Sequence, residues 1–502
     1  MQYFLRECAI TSLMVGAVAL LVQYLWVMLR RCLRSSLPPG PFGVPVLGYL
    51  PYMPRNHYCL ETLRSKYGGV FGFHVGSQYV VFLCDFHSAK EALSHDALLN
   101  RPPQFPFNVN EHSQGLLVAN GPMWKIQRRF SLKLFHQLGI ATPTMERYIR
   151  EELGHLVDKI LSLQGKPVIP GVMLTPSVSN IISTLVFGRR FDYDDPERVY
   201  LDKLINVIPV LAAQTSTVYF FPWIIKLLRF FHVGTCEKLR EALILREDFA
   251  ESKIDEHHAT YKEGVVRDYI DGFLSEMAKR ENEQNNTFTR NVLKGNIATF
   301  FGAGSETVRS TMEWLLLMCA ARPELQQRMQ AEIDCLLVNS QCVHVRWENR
   351  GELAYTQAFI WETMRFKPPT PLNPMRHATA DIKVGGYIIP RGSIVIVSFW
   401  SVLHDKSVWG DPEVFRPERF LVDGGTRAVK PQQFIPFSYG KRSCPGESIA
   451  SIEAFLYLTT VLKNFAVEAP PRGTGLVFDE VAGISLRPKP QELIFRRRHP
   501  GT

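Results

Sequence analysis

Residues 437–446 constrain this chain more than any other segment. They read Phe-Ser-Tyr-Gly-Lys-Arg-Ser-Cys-Pro-Gly, and an apolar stretch of helical pattern, Glu447–Leu462, follows at once. Gly440 allows a turn with positive φ that a side chain would obstruct. Arg442 places a fixed cation two residues before Cys444, where it can meet a carboxylate of a ligand. The sulfur is expected at a helix N-terminus, where the dipole favours thiolate over thiol. The segment therefore predicts a loop that presents one thiolate to a metal.

A single thiolate can act as a nucleophile, a zinc ligand or a haem ligand. Zinc needs several Cys or His ligands at short spacing, and neither residue type occurs between His404 and Cys444. Haem needs one protein thiolate, apolar walls and cations for its propionates. The local sequence therefore favours haem, with a structural cysteine in a Gly/Pro loop as the alternative.

The pattern Phe-x-x-Gly-x-Arg-x-Cys-x-Gly resembles the haem-binding signature of the cytochrome P450 monooxygenases. Its fixed positions are all filled, by Phe437, Gly440, Arg442, Cys444 and Gly446. The resemblance covers residues 37–500 and is typical of microsomal members that metabolise drugs and steroids. It implies the P450 fold, mainly α with a minor β region and an N-terminal transmembrane helix. It also implies haem b (iron protoporphyrin IX) as the cofactor, with Cys444 as the iron ligand.

A long helix is predicted over Thr289–Arg322, and its middle contains Gly302 and Gly304. Each glycine costs roughly 1 kcal/mol relative to alanine in a helix interior. The pair therefore indicates close approach of a flat ligand or a helix crossing through small residues. A threonine hydroxyl can bond back to a carbonyl and open the helix. The run resembles the family's oxygen-activation motif, which implies Glu306 and Thr307 as the catalytic proton relay and Ala303 beside the haem.

Haem propionates need cationic partners. Trp124 and Arg128 lie at i and i+4 of a basic helix, similar to the propionate-binding pair of the family. Arg376 and Arg101 match positions that contact propionates in microsomal members, although position 376 is often His in relatives. The resemblance therefore assigns all four residues to cofactor binding.

Glu362 and Arg365 form a Glu-x-x-Arg pair at i and i+3 of a predicted helix. Such a pair is weak when it is exposed. In the family this pair bonds an arginine of a later motif, here Arg419, and holds the thiolate loop. The resemblance therefore gives these three residues a structural role.

The N-terminus predicts a membrane anchor over residues 1–30. Cys8–Leu29 carries no charge and is long enough for a hydrocarbon layer of about 30 Å. Arg30, Arg31 and Arg34 follow, so the positive-inside rule places the body in the cytosol. The positive cluster after the apolar run disfavours a cleaved signal peptide. The resemblance implies a single-pass protein of the endoplasmic reticulum membrane.

After the anchor, residues 31–50 predict a basic, proline-rich hinge and residues 51–502 a single haem-thiolate catalytic domain. Val70–Val75 and Tyr79–Leu83 predict a hairpin, and Lys383–Val397 a further β-rich patch. The apolar stretch Val207–Phe231 is interrupted by Pro209 and Pro222, which indicates two amphipathic helices that roof a pocket and dip into lipid rather than a second span. The pocket walls are expected from Phe105, Phe107, Ala303, Leu372, Ile484 and the lid Val210–Phe220.

The resemblance implies a monooxygenase that inserts one oxygen atom from O₂ into a lipophilic xenobiotic, steroid or fatty-acid-like substrate. Electrons would come from NADPH indirectly, through NADPH–cytochrome P450 reductase, with cytochrome b5 as a second candidate donor. An acidic donor could dock on the basic residues Lys125, Arg129, Lys133 and Lys441.

Composition and alternative activities narrow this interpretation. The net charge of +9 comes without the basic, aromatic-interleaved helix that nucleic-acid binding would need. Nine scattered cysteines indicate a reducing compartment. A peroxide isomerase or dehydratase is the main alternative, but such relatives typically lose the acid–alcohol pair. A non-enzymatic haem protein would not need that pair either.

Overall fold

The computed structural model describes residues 36–498 except 54–55, 104–114, 222–223, 225–226, 229, 285, 472–474 and 482, together with isolated positions before residue 36. The predicted anchor, apart from those isolated positions, and Phe105, Phe107 and Pro222 lie outside the described residues. Within the described part of the chain, no helix combines the length and hydropathy needed to cross a membrane.

Helices dominate the described chain. The α-helices are α1 (Leu60–Tyr67), α2 (Phe86–Ser94), α3 (Gly121–Gln137), α4 (Pro143–Ser162), α5 (Gly171–Phe187), α6 (Pro196–Thr215), α7 (Thr235–Thr260), α8 (Tyr269–Lys279), α9 (Arg290–Ala321), α10 (Pro323–Ser340), α11 (Ala354–Phe366), α12 (Phe399–Leu403), α13 (Lys406–Trp409) and α14 (Glu447–Asn464). Short 3₁₀ helices lie at Leu50–Tyr52, His57–Cys59, Asp96–Leu98, Ser216–Phe220, Trp347–Gly351, Pro417–Phe420 and Asp423–Gly425.

The strands are two to six residues long. They are β1 (Val70–Val75), β2 (Gln78–Leu83), β3 (Arg376–His377), β4 (Ile382–Val384), β5 (Tyr387–Ile389), β6 (Ile394–Val397), β7 (Leu421–Val422), β8 (Arg427–Ala428), β9 (Phe465–Glu468), β10 (Glu480–Val481), β11 (Arg487–Pro488) and β12 (Ile494–Arg497). One four-stranded sheet has the order β1-β2-β6-β3, in which β2 and β6 run parallel and the other neighbours antiparallel. The other strands pair as β4-β5, β7-β8, β9-β12 and β10-β11.

Local sequence signals predicted several elements correctly. The hairpin is β1–β2, with Val70 opposite Leu83, and the β-rich patch contains β4, β5 and β6. The long helix is α9, whose first turn is capped by the Thr289 hydroxyl, which accepts from the Val292 N–H at 3.3 Å. It stops at Ala321 because Pro323 disfavours helical backbone at Arg322.

The prediction that Pro209 interrupts its helix was wrong. Pro209 is buried inside α6, which continues to Thr215. Leu204, Ile208 and Ala212 of α6 pack with Leu239, Ala242 and Leu243 of α7 in one apolar cluster. This packing outweighs the cost of a proline in a helix interior, roughly 3 kcal/mol.

The proline-rich segment before residue 51 lies against the sheet. The Gly72 N–H donates to the Pro39 carbonyl at 2.8 Å, and the Tyr49 N–H donates to the His74 carbonyl at 2.7 Å. The segment is therefore fixed to β1 through backbone hydrogen bonds.

A closed cluster of charges lies in the core beside α11. The side chains of Glu362 and Arg365 are 0% exposed, and two bonds of 2.6 and 2.8 Å join them. Arg419 Nε donates to the same carboxylate at 3.2 Å, as does the Arg416 N–H at 2.8 Å. The remaining Arg365 donors bond the carbonyls of Leu403 and Pro412, both at 2.9 Å. The predicted Glu362–Arg365–Arg419 contact is thus confirmed, and it ties residues 403–419 to α11.

Glu362→Gln should lower the free energy of unfolding by about 3–5 kcal/mol, because it leaves the buried Arg365 guanidinium without its carboxylate and removes one of the two carboxylates that pair with Arg419. Chemical denaturation of the purified protein measures the change. Asp423→Asn is the matched control. It removes an exposed pair with Arg427, whose side chains are 65% and 60% accessible, and should cost less than about 1 kcal/mol. Equal effects of the two substitutions would contradict a structural role for the Glu362 cluster.

Candidate active site

A cavity of about 1390 Å³ lies inside the helical body. It is lined by every residue that the sequence assigned to the site: Arg101, Trp124, Arg128, Ala303, Glu306, Thr307, Arg376, Phe437, Arg442, Cys444 and Gly446. The predicted wall residues Leu372 and Ile484 line it as well, and the lid region contributes Ala212, Ala213 and Phe220. The fold therefore brings together residues from seven separate parts of the sequence.

The loop before α14 exposes the Cys444 side chain to this cavity. Gly440 has φ +76°, as predicted, and a Cβ there would lie 2.3 Å from the Leu93 carbonyl oxygen. The Cys444 N–H donates to the Phe437 carbonyl at 2.9 Å, which closes the loop. Gly446 is the N-cap of α14, so the cysteine lies at a helix N-terminus as predicted.

The electrostatic surroundings of the thiol differ from the expectation. Burial is the largest effect, and it raises the pKa of Cys444, while the Gly446 N–H and Arg128 act in the opposite direction. The helix N-terminus alone therefore does not lower the pKa of Cys444, and a bound cation would favour the thiolate.

Four arginines converge beside the Cys444 loop. Arg376 and Arg442 are buried, and Arg376 Nη2 donates to the Arg442 carbonyl at 3.4 Å. Arg128 Nη2 donates to the Ser443 carbonyl at 2.8 Å. Arg101 Nη1 donates to the carbonyls of Pro374 and Met375. The Arg442 guanidinium also lies 4.4 Å from the ring centroid of Trp124.

Burial and the proximity of these arginines to one another lower the pKa values of their guanidinium groups. Burial and the neighbouring Arg376 and Arg128 lower the pKa of Arg442 to about 9, and burial and Arg128 lower the pKa of Arg376 to about 10. No carboxylate of the described residues pairs with Arg128, Arg376 or Arg442. Nε of Arg442, and Nε and Nη1 of Arg376, are buried without a hydrogen-bond partner. Such a cluster fits an anionic ligand with two or more carboxylates.

Glu306 and Thr307 occupy the α9 wall of the cavity. Glu306 is 5% exposed and accepts a hydrogen bond from the Ser485 hydroxyl at 2.5 Å, with Arg487 Nε at 3.8 Å. Burial raises the pKa of Glu306, and Ser485 and Arg487 oppose the shift. The Thr307 hydroxyl donates to the Ala303 carbonyl at 2.7 Å, the predicted back-bond. An acid and an alcohol therefore stand side by side at the cavity surface.

Gly302 and Gly304 of α9 have different surroundings. A Cβ on Gly302 would meet nothing within 4 Å, so this position leaves space. A Cβ on Gly304 would lie 2.7 Å from Cδ1 of Ile182 on α5. The helix-crossing interpretation therefore accounts for Gly304, because α5 packs closely against α9 at this position.

Comparison with known proteins places this architecture in a family. The family model of cytochrome P450 matches residues 38–495. Human cytochrome P450 2J2 is 33% identical over 485 residues, covering 95% of this chain and 94% of the relative. Mouse cytochrome P450 2D10 is 33% identical over 483 residues (93% of each chain), and mouse cytochrome P450 2B9 is 33% identical over 494 residues (97% and 99%).

The chain belongs to the cytochrome P450 family. Cytochromes P450 bind haem b and are monooxygenases, so this P450 is a haem-dependent oxidoreductase. The residues of the cavity fit this cofactor. One accessible thiol is available for the iron, apolar walls suit the macrocycle, and the buried arginines with unpartnered nitrogens suit the two propionates.

The sequence did not indicate all of the polar residues of the site. Ser485 and Arg487 reach Glu306 across 179 and 181 positions, and no local motif links them. Glu453 lies on α14, lines the cavity and is 1% exposed, and its Oε1 has no hydrogen-bond partner. A carboxylate in the middle of the apolar stretch Glu447–Leu462 was the signal that could have identified it.

Glu453 gives the P450 a pH-dependent stability. Burial raises the pKa of this carboxyl well above its usual range. The folded state therefore keeps this proton to a higher pH than the unfolded chain, which loses it above about pH 4. Its contribution to stability is fully present below the unfolded-state pKa and is lost as pH rises toward the folded-state pKa.

Glu453→Gln removes this titration, so the variant should gain stability over the parent as the pH rises from about 5 to about 8. The gain is at most about 1.4 kcal/mol per pH unit. Thermal denaturation across this pH range measures it. Glu241→Gln, at an exposed position of α7, should follow the parent at every pH. A constant difference between Glu453→Gln and the parent would show that Glu453 is ionised in the folded protein.

Proposed function

We propose that this chain is a haem-thiolate monooxygenase that inserts one oxygen atom from O₂ into a lipophilic organic substrate, with electrons from NADPH supplied through a reductase. The observation that carries the proposal is the accessible Cys444 beside unpaired buried arginines, in the same cavity as Glu306 and Thr307. Haem b, when bound, would supply the oxygen-activating chemistry.

In this proposal the chain's own residues divide the work of binding the cofactor. Cys444 would be the iron ligand, with Phe437 and Gly446 beside it in the thiolate loop. Arg101, Arg128, Arg376 and Arg442 would hold the propionates together with Trp124, and Ala303 would border the cofactor on α9. The unpartnered nitrogens of Arg376 and Arg442 support this assignment, because a propionate would relieve the desolvation that burial imposes on them.

Glu306 and Thr307 would move protons. Burial shifts the pKa of Glu306 upward, in the direction of neutral pH. A side chain whose pKa lies near the operating pH can both take up and release a proton. Ser485 bonds Oε1 of the carboxylate at 2.5 Å and orients it. The Thr307 hydroxyl donates to the Ala303 carbonyl and lines the same cavity as Glu306. A peroxide isomerase or dehydratase would have no use for this pair.

The lining of the cavity supports a lipophilic substrate. Leu201, Leu204, Ile205 and Ile208 of α6 line it from one side. Leu372 and Ile484 line it from the strand side. Apolar walls of this kind favour xenobiotic, steroid or fatty-acid-like molecules, because burying apolar surface drives their binding.

The proposal also includes a reductase that docks on the protein and a membrane that anchors it. Lys125, Arg129 and Lys133 lie exposed at i, i+4 and i+8 on one face of α3, the helix that carries Trp124 and Arg128. This basic face suits NADPH–cytochrome P450 reductase or cytochrome b5. Phe230 and Phe231 are 77% and 59% exposed, which suits contact with lipid. With the charge pattern of residues 1–34, these features support a single-pass protein of the endoplasmic reticulum with a cytosolic catalytic domain.

The thiolate assignment is tested by Cys444→Ser. We expect a folded protein that lacks the long-wavelength carbon monoxide band that thiolate ligation gives reduced haem, and that forms no product. Cys335→Ser, at an exposed cysteine of α10, is the matched control and should keep both the band and the activity. Retention of the band in Cys444→Ser would refute the proposed function.

The proton relay is tested by Thr307→Ala and Glu306→Gln. Haem content and substrate-induced spectral shifts should remain, since losing one hydrogen bond costs about 0.5–1.5 kcal/mol. NADPH should still be consumed, but product per NADPH should fall at least about tenfold and hydrogen peroxide should rise, because a positioned proton donor contributes roughly 10²–10⁴-fold.

Thr459→Ala is the control for the relay experiment. It removes the same kind of back-bond, to the Phe455 carbonyl at 2.8 Å, from a buried position of α14 that does not line the cavity. Its yield of product per NADPH should equal that of the parent. Unchanged yields in both relay variants would exclude Glu306 and Thr307 as the proton relay.

A further inference from the structure

Helix α7 carries a cation in the middle of an apolar stripe. Leu239, Ala242, Leu243 and Ala250 are all buried on the side of α7 that faces the core. Arg246 follows Ala242 by four positions and precedes Ala250 by four, so it lies on the same side of the helix. A guanidinium group in such a stripe requires compensation, because burial of an unpaired charge is costly.

The positive charge of Lys253, a second cation on α7, is compensated by carboxylates. Lys253 lies seven residues after Arg246, and its side chain is only 2% exposed. Its Nζ bonds the carboxylate of Glu197 at 2.8 Å and that of Glu256 at 2.7 Å. The chain therefore supplies two carboxylates to Lys253, one from its own helix and one from α6.

Arg246 receives no such partner. Its Nε is buried without a hydrogen bond, and the described residues offer its guanidinium no ion pair. Burial lowers its pKa to about 10, and the only carboxylate that acts on this pKa is that of its chain neighbour Glu247. The group is still protonated at neutral pH, so it is a half-buried positive charge whose Nε is buried without an acceptor.

The guanidinium faces the substrate cavity. Arg246 lines the cavity together with Leu204, Ile205 and Ile208 of α6, which supply apolar surface around it. None of the four arginines beside the Cys444 loop acts on its pKa. Arg246 is therefore a separate cationic point in an apolar wall, apart from the arginines that suit the propionates.

We infer that Arg246 binds the carboxylate of an anionic lipophile, so that the cavity selects long-chain carboxylic acids and orients them by their charged end. A carboxylate matches the forked donors of a guanidinium, and the apolar wall of α6 suits the hydrocarbon chain. This inference rests on the proposed monooxygenase function, since it narrows the substrate class of the same cavity.

The test compares dodecanoate with the neutral 1-dodecanol on the full-length holoenzyme, with spectral titration as the measure of binding. The parent should bind the acid more tightly than the alcohol. Arg246→Leu should weaken binding of dodecanoate by about ten- to hundredfold, as expected for loss of a charge-assisted hydrogen bond, and leave binding of 1-dodecanol unchanged. Arg246→Lys should retain most of the preference for the acid.

Two controls separate this inference from other causes. Arg240→Leu removes a cation from the partly exposed side of α7 where it pairs with Glu237, away from the cavity, and should keep the parent's preference. Arg246→Leu should unfold at the same or a higher temperature than the parent, since it removes an uncompensated buried charge.

Equal binding of acid and alcohol by the parent, or equal weakening of both by Arg246→Leu, would overturn the carboxylate site. The proposed function would still stand if the thiolate carbon monoxide band and NADPH-dependent oxidation of a neutral lipophile were intact. Loss of the band in the parent would instead refute the proposed function itself.

Discussion

The cost of removing charge from water governs this structure more than any other constraint. Beside α11 this cost is offset by other residues of the chain. Glu362 neutralises Arg365 and Arg419, and the remaining N–H groups of Arg365 donate to backbone carbonyls. Beside the Cys444 loop this cost is not offset by the described residues of the chain. Arg376 and Arg442 are buried to a similar degree, but they face each other and leave nitrogens without partners.

This difference between a closed and an open charge cluster separates structural residues from ligand-binding ones. Both clusters contain arginines that the sequence motifs singled out, and the family resemblance implies a structural role for one set and cofactor binding for the other. In the structure, the cluster that contains Glu362 ties residues 403–419 to α11, whereas the arginines beside the Cys444 loop line the cavity. A dianionic cofactor such as haem b supplies the missing charge, so cofactor binding should stabilise the folded P450 as well as equip it for chemistry.

The features that the sequence predicted correctly depend on local rules. The positive φ of Gly440 and the end of α9 before Pro323 follow from a few neighbouring residues. The errors and omissions come from contacts across the fold. The packing of Ile182 against Gly304 and the continuation of α6 through Pro209 depend on which helices meet. Such contacts leave no trace in a single sequence, because the partner residues lie far apart along the chain.

The α7 side of the cavity shows the same contrast between a paired and an unpaired cation. Lys253 and Arg246 lie two turns apart on one buried stripe, but only Lys253 has carboxylates within bonding distance. A fold that places two acidic groups around one cation could place one beside the other at little cost, since such pairs are common on its helices. The open position of Arg246 therefore has its simplest explanation in a charge that arrives with the substrate, just as the open arginines beside Cys444 are explained by a charge that arrives with the cofactor.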